Sequence, residues 1–494
     1  MALIKPKGLK MLLSELAAIL LYLAILVGIA IASFKKNQSS DQFILGGRSL
    51  NFWLTALAAH ASDMSSWIFM GYPVVLFATG SVNIWLAVGL TLFMYINWQY
   101  IAPKIRVATE KYNALTFSTF FESRFHDTSG ALRILTAIMS LIFYTIYISA
   151  SFYGLGLLLE TLFGFPYWLG LIIGVLIVTP YLFFGGYLTL AWTDFFQGLF
   201  LLTVILFVPF IATYHLGGWG NVSAQLTKVK FFNNLIPSYS IGGIITVFFI
   251  MMSWGLGYFG QPHIITKFMG IKNPKEIKKS KYVGMTWQVL ILTSATFVGM
   301  VAIAYFKDGI HDQQLIFIDM VQSIFNPFVG TFILCAIIGA TITHSDAQIL
   351  VLSSSLTEDF YRRILRKQAS SKELVLVSRL SILFVSIIAY FIALQRFSSI
   401  FRLVEYAWFG LGSAFGPLLI FALYSKSANK YGAYAGVISG GLIAAVWPVV
   451  NDLLSIDIPT LIPGFAISSF LIWSVSHLTK QKGQVHEEKI IDHQ

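Results

Sequence analysis

Apolar stretches of about 18 to 25 residues, parted by short polar breaks, recur along nearly the whole chain, and each is long enough to cross a hydrocarbon core about 30 Å thick. They lie near residues 12–33, 51–79, 82–103, 134–161, 166–187, 191–215 and 241–267, then near 283–306, 328–357, 375–395, 404–424, 433–450 and 459–478. A soluble domain carries roughly 25% charged residues. This chain of 494 residues carries 11%, with 57% apolar residues and a mean hydropathy of +0.76. The expected fold is therefore an all-α polytopic membrane protein of about thirteen transmembrane helices, forming one domain. The first stretch, Leu12 to Ser33, exceeds the apolar core of a signal peptide and has no convincing cleavage site, so it is read as a retained helix. The single cysteine, Cys335, excludes an intrachain disulfide and a cysteine-based metal cluster.

A net charge of +11 would suggest nucleic acid for a soluble chain, but in a polytopic membrane protein basic residues report topology. With the N-terminus outside, one side receives Lys35, Lys36 and Arg48, the segment from Lys104 to Arg133, the run from Lys267 to Lys281, Arg362 to Arg379, Lys426, Lys430 and the lysines of the tail. These account for 25 of the 33 Lys and Arg residues. The other side keeps Lys5, Lys7, Lys10, Lys228, Lys230, Lys307, Arg396 and Arg402. By the positive-inside rule the C-terminus is then cytoplasmic. The Lys272–Lys281 run is read as a topology signal, with anionic membrane lipid as a secondary partner. Matches to the glycosylation sequon at Asn37 and Asn221 are read as chance, and the tail from Lys480 to Gln494 as polar and loose.

Two spans carry polar and flexible residues at mid-membrane depth, where an unpaired backbone group or ion is costly. In the second, Ala61-Ser62-Asp63-Met64-Ser65-Ser66-Trp67 is followed by Gly71-Tyr72-Pro73. In the seventh, Trp254-Gly255-Leu256-Gly257-Tyr258-Phe259-Gly260 leads into Gln261-Pro262-His263. Proline removes a backbone donor and glycine weakens a helix, so each reads as an interrupted helix whose freed amides and carbonyls face a ligand. The two stand five spans apart, as corresponding interruptions in the two halves of an inverted-repeat transporter would.

These segments resemble the sodium/solute symporter family, most closely its sodium/proline symporters. Ile96-Asn97-Trp98, Gly185-Gly186 with Thr193-Asp194, the stretch from Ser353 to Asp359 and that from Ala407 to Pro417 extend the resemblance over roughly residues 40 to 450. It implies a five-plus-five inverted-repeat core, with a first repeat over 51–216 and a second over 241–424. The resemblance also implies an extra N-terminal helix at 12–33, two extra helices over 433–478 and a cytoplasmic tail at 479–494. The implied activity is sodium-driven uptake of L-proline or a related small solute across a bacterial inner membrane, without a cofactor beyond the coupling ion. Substrate contacts carry over to Ser65, Trp67, Tyr147, Trp254, Tyr258 and Pro262. Aromatic faces, hydroxyls and exposed helix ends suit an apolar ring bearing an amino and a carboxylate group. Ser66 departs from the glycine usual there.

The family's sodium site maps onto carbonyls of Ala61 and Met64 in the second span and Ala340 in the ninth, with a pair of hydroxyl residues of which only Thr343 is present. His344 takes the other place, on the same helical face. Asp63 matches an aspartate required for sodium coupling in the family. Asp194 matches a carboxylate used for a further sodium in some relatives, near which Asp346 replaces a small hydroxyl residue. With His60 beside Ala61, these residues form an expected cluster of titratable groups, so proton coupling, with His344 pairing to Asp346, stands as the alternative to sodium. A substrate sensor without transport is the other alternative. An enzyme is excluded at His344-Ser345-Asp346, since consecutive helical residues point about 100° apart. The absence of a phosphate-binding loop motif argues against an ATP-driven pump.

Overall fold

The computed structural model describes residues 9–33, 39–229, 234–396 and 399–479. Lys5, Lys7, Lys35, Lys36, Lys230, the Asn37 sequon and the tail after residue 479 lie outside the described residues. The described chain is helical: α1 Leu9–Ser33, α2 Ser40–Leu45, α3 Phe52–Ala61, α4 Trp67–Met70, α5 Tyr72–Thr79, α6 Ile84–Ile96, α7 Ala102–Lys111, α8 Phe117–Arg124, α9 Ala131–Phe163 and α10 Tyr167–His215. It continues with α11 Trp219–Leu226, α12 Ile241–Gly255, α13 Pro262–Met269, α14 Ile277–Tyr305, α15 Ile316–Ile324, α16 Pro327–Ser354, α17 Ser371–Ala393, α18 Ile400–Tyr424, α19 Lys430–Leu454 and α20 Leu461–Leu478.

Eleven helical stretches among the described residues are long and apolar enough to cross a membrane, which makes this an integral membrane protein. The two expected spans missing from that number are the second and the fifth. The second is divided among α3, α4 and α5. The fifth is the first part of α10, which bends at Gly186 (φ 67°, ψ −172°), a left-handed φ that favours glycine. Other spans differ at their ends: the third crosses a π-helical turn at Asn97–Ile101 and runs on to Lys111, and the ninth continues as a π-helix to Leu365. The short helices α2, α8, α11 and α15 were not expected from the hydropathy pattern, being too short and too polar to register as spans.

Local chemistry sets where the elements start. The side chain of Asn51 accepts from Leu54 N at 2.9 Å to cap α3, and that of Asn326 accepts from Val329 N at 3.0 Å to cap α16 ahead of Pro327. Pro262 opens α13 after Gln261 turns extended (φ −100°, ψ 95°), so α12 and α13 are joined by a 3-10 segment at Leu256–Gly260 instead of one continuous helix.

The two broken spans run in opposite directions and are tied together at one end of the bundle. Leu50 N donates to Gly270 O at 3.2 Å, and Lys272 N donates to Leu50 O at 2.8 Å. Arg48 donates to the carbonyls of Met269, Thr109 and Ala114, and Arg106 Nε to Ile271 O at 2.7 Å. Further contacts join the other basic segments to this end. Arg133 bridges Asp359 at 2.6 Å and Glu122 at 3.1 Å, Arg363 also meets Glu122, and Arg124 donates to the carbonyls of Ala422 and Ser425. The segments that charge bias assigns to one side of the membrane thus meet in space.

Helices approach closely where glycine leaves room. Gly89 of α6 lies against the backbone of Met251 in α12, so an added Cβ would stand 2.7 Å from Met251 Cα. Gly28 of α1 has nothing within 4 Å of the same position. Gly→Ala in a helix ordinarily gains up to about 1 kcal/mol. At Gly89 the overlap with backbone reverses the sign, and Gly89→Ala is expected to cost about 1–3 kcal/mol. Gly28→Ala is expected to be neutral or stabilising, and the melting temperatures of the two variants in detergent check the contrast.

Candidate functional site

The interruption of the second span lies between α3 and α4. At its close Trp67 N approaches Ser65 Oγ at 3.4 Å, while Met64 N bonds Ala61 O at 3.3 Å. Opposite it stands the 3-10 turn between α12 and α13. Trp67 and Trp254 stack across the gap with ring centroids 5.9 Å apart and planes 27° apart. Trp254 is backed by Phe401, Phe409 and Trp408, and its carbonyl accepts from Trp408 Nε1 at 2.9 Å. Ser65, Trp67, Tyr147, Trp254, Tyr258 and Pro262 are all buried. The structure therefore brings Trp67 and Trp254 of the two broken spans face to face, and Tyr147 of α9 packs edge-on against His344 at 4.3 Å and His263 at 6.3 Å, beside the two breaks.

Tyr258 joins the two breaks directly. Its hydroxyl donates to Asp63 Oδ2 at 2.5 Å and accepts from Gln288 Nε2 of α14 at 2.9 Å. Its backbone carbonyl accepts from Asn97 Nδ2 at 3.2 Å, and its ring stands edge-on to Trp408 at 5.1 Å. Gln288 and Asn97 are both fully buried. Charge-assisted hydrogen bonds inside such an environment are strong, and every donor here has an acceptor.

A second focus lies where α16 crosses the end of α3. Thr343 Oγ1 is 3.2 Å from Ala61 O, 3.1 Å from Ala340 O and 3.2 Å from Gly339 O. One hydroxyl proton faces three carbonyl oxygens: those of Gly339 and Ala340 lie one turn back on α16, as for any helical threonine, and that of Ala61 is the contact that ties α16 to the end of α3. Ala61, Ala340 and Thr343 meet as expected, and Met64 follows within the same turn.

His344 is engaged differently from the expectation. Its Nδ1 lies 2.7 Å from Ser62 O and its Nε2 lies 2.8 Å from Gln348 Nε2. A carbonyl only accepts, so Nδ1 carries the proton and Nε2 accepts from the amide, which describes a neutral ring bracing α16 against the break. With both nitrogens taken, His344 does not pair with Asp346. Asp346 is buried about 200° around the helix from it. His60 also faces away from the oxygen cluster: its Nε2 accepts from Trp98 Nε1 at 2.9 Å, and its ring fills the notch left by Gly284. Asp194 forms a buried ion pair with Lys267 Nζ of α13 at 2.9 Å, one helical turn from Gly198, which lies against Ala61. The expected titratable cluster is thus dispersed over three faces of the bundle. Ser66 is accommodated because its Oγ sits where a side chain at residue 154 would be: a Cβ added to Gly154 would lie 2.6 Å from it.

The sequence reading does not reach Gln288 or Tyr144, and it takes Lys267 for a loop charge where the structure buries it against Asp194. Each is a polar side chain within or beside an apolar span, which is the signal that marks it. Tyr144 receives the backbone N–H of His263 at 2.8 Å and faces its Nδ1 at 3.0 Å, which fixes the start of α13.

Two interrupted antiparallel helices that meet through stacked tryptophans, with the Thr343 hydroxyl on the Ala61 carbonyl at the side, form the arrangement of a membrane transporter of the broken-helix type. The chain belongs to the sodium:solute symporter family, whose model matches residues 43–440. It is 39% identical over 467 residues to the high-affinity proline transporter PutP of Bacillus subtilis (strain 168), covering 94% of this chain and 98% of that one. To the sodium/proline symporter of Staphylococcus aureus (strain NCTC 8325 / PS 47) it is 40% identical over 478 residues, covering 94% and 93%. Among solved structures, a Na+-coupled sialic acid symporter in a substrate-bound outward-open state shares the fold, with a TM-score of 0.80 and 16% identity over 94% of this chain and 98% of that one. Mhp1, a nucleobase-cation-symport-1 family transporter, matches with a TM-score of 0.56 and 14% identity over 90% of this chain and 95% of that one.

The Lys267–Asp194 pair gives a stability prediction. Removing one member leaves the other as an uncompensated buried charge, so Lys267→Met is expected to cost about 3–5 kcal/mol. The double variant Lys267→Met/Asp194→Leu is expected to recover most of that loss. Thermal unfolding of the purified protein in detergent measures both, and equal losses in single and double variants would contradict the assignment.

Proposed function

We propose that the protein takes up L-proline together with sodium by alternating access, and the observation that carries this reading is the 39–40% identity to proline symporters along nearly the whole chain. The junction of the two breaks has matching chemistry. Trp67 and Trp254 supply flat faces for a five-membered ring, Tyr258 and Ser65 supply hydroxyls, and the helix ends at the two breaks offer backbone groups to a zwitterion. Pro262 opens α13 and removes one competing donor there. Tyr147 closes the third side from α9.

Sodium is held by the carbonyls of Ala61, Met64 and Ala340 and by the Thr343 hydroxyl. Asp63 supplies the nearby negative charge through which ion and substrate influence each other. Sodium is preferred to a proton because His344 already has both nitrogens occupied and Thr343 retains the oxygen cluster. The two five-span repeats, residues 51–216 and 241–424, rock about this site, with 12–33 and 433–478 as added helices. The end where Leu50 meets Gly270 and Lys272, and where the basic segments gather, faces the cytoplasm of a bacterial plasma membrane. On this reading the N-terminus is outside and the C-terminus inside, as the charge bias favours.

Uptake of labelled proline into proteoliposomes, with a sodium gradient or a pH gradient imposed separately, tests the reading. The sodium gradient is expected to drive accumulation and the pH gradient alone is not. Thr343→Ala is expected to raise the half-saturating sodium concentration by about tenfold or more, the scale of about 1.4 kcal/mol for one lost oxygen contact. Accumulation driven by pH alone would establish the proton-coupled alternative. Binding of proline without any flux would establish a sensor, and saturable uptake of another amino acid with no competition by proline would replace the substrate.

A further inference from the structure

We propose that Gln288 is a positioning residue that makes proline binding depend on sodium, acting through the Tyr258 hydroxyl. The inference rests on the sodium/proline reading and adds the atom at which the two sites exchange information. A phenol has one proton and accepts through its oxygen. The Asp63 carboxylate at 2.5 Å takes that proton, so the Gln288 group at 2.9 Å must be the amide N–H, donating to the same oxygen. Tyr258 is fully buried, Gln288 is fully buried and Asp63 is 2% exposed, so no bulk water competes for these contacts. The rest of Tyr258 is held independently by Asn97 at its carbonyl and Trp408 at its ring, which leaves the direction of the O–H as the free variable.

That direction answers to whatever occupies Asp63. A cation arriving at the carbonyls of Ala61 and Met64 competes for the carboxylate, and the phenol proton is then free for a substrate carboxylate to accept. The Gln288 donor has two effects on this exchange. It polarises the phenol, which strengthens O–H donation. It also occupies the accepting side of the oxygen with or without the cation, so the only contact Tyr258 can offer a substrate is its proton, and that proton is free only once the cation has engaged Asp63. Without Gln288 the hydroxyl accepts from substrate whether or not Asp63 is engaged, and proline binds with little regard for sodium. Coupling of two ligands requires such a difference between the states. Gln288 belongs to α14, which packs on α3, α4 and α5 and lies outside both breaks, so it reaches the junction from a third helix.

Equilibrium binding of labelled proline to purified protein in nanodiscs, with sodium saturating or replaced by choline at constant ionic strength, gives the ratio of the two dissociation constants. By linkage the same ratio must appear in sodium binding with and without proline. The native ratio is expected to be about tenfold or larger, and in Gln288→Met to fall to within about twofold of unity. Gln288→Leu serves if Gln288→Met does not insert. Tyr258→Phe is expected to lose the ratio too, and Gln288→Met/Tyr258→Phe to lose no more than either single variant. Weaker binding of both ligands with the native ratio intact in the Gln288 variants would make Gln288 merely structural and overturn the proposal. A native protein that binds no proline, or binds it equally without sodium, would overturn the sodium/proline reading itself and this inference with it.

Discussion

A membrane interior offers no water to satisfy a broken helix, and the architecture follows from that constraint. The interruptions at Ser62–Ser66 and at Leu256–Gln261 free backbone groups that would be costly against lipid, so both must lie inside the bundle and find partners there. The Ser62 carbonyl is met by His344, the Ala61 carbonyl by Thr343, the Tyr258 carbonyl by Asn97 and the Trp254 carbonyl by Trp408. Four side chains from α16, the turn after α6, and α18 thus occupy the carbonyls of the two breaks. A transporter site results because the partners are weak enough, and few enough, for ligands to join them.

The same economy explains how charges are tolerated at depth. Asp63 accepts from the Tyr258 hydroxyl and has no ion pair among the described residues, whereas Asp194 has Lys267 and Asp359 has Arg133. The paired carboxylates brace the helices that surround the site. Under the proposed sodium reading, the carboxylate held by a neutral phenol is easier for a mobile cation to approach than those of Asp194 and Asp359, whose ion pairs would first have to be broken. The arginines at the basic end serve a different purpose. Arg48 and Arg106 satisfy carbonyls at the ends of α7 and α13 and so hold the two broken spans together where the chain leaves the membrane.

The departures from the family pattern acquire physical meaning only in place. Ser66 is matched by the missing side chain of Gly154, and His60 by that of Gly284, so each larger residue is balanced by a glycine on a neighbouring helix. His344 replaces an oxygen ligand but turns its ring to a carbonyl and an amide. It therefore behaves as a brace for the break.

Span positions, the two interruptions and the gathering of basic segments at one end were legible from the chain, because apolar length, Gly/Pro placement and charge bias are local properties that act residue by residue. Ala61, Ala340 and Thr343 could be named from a motif, and the fold did bring them within reach of one hydroxyl. Other features depend on which helix faces which, and no local signal carries that. Hydropathy marks the second and fifth spans like the rest, yet one is split into three helices and the other is the first limb of a bent helix. The family resemblance gathers the titratable residues into one cluster, yet packing turns His60 toward Trp98, Asp194 toward Lys267 and His344 toward Gln348. Gln288, 30 residues after Tyr258, becomes part of the junction only when α14 is laid beside the break. Burial then requires each polar group to choose the partner within reach, and only the tertiary structure decides which partner that is.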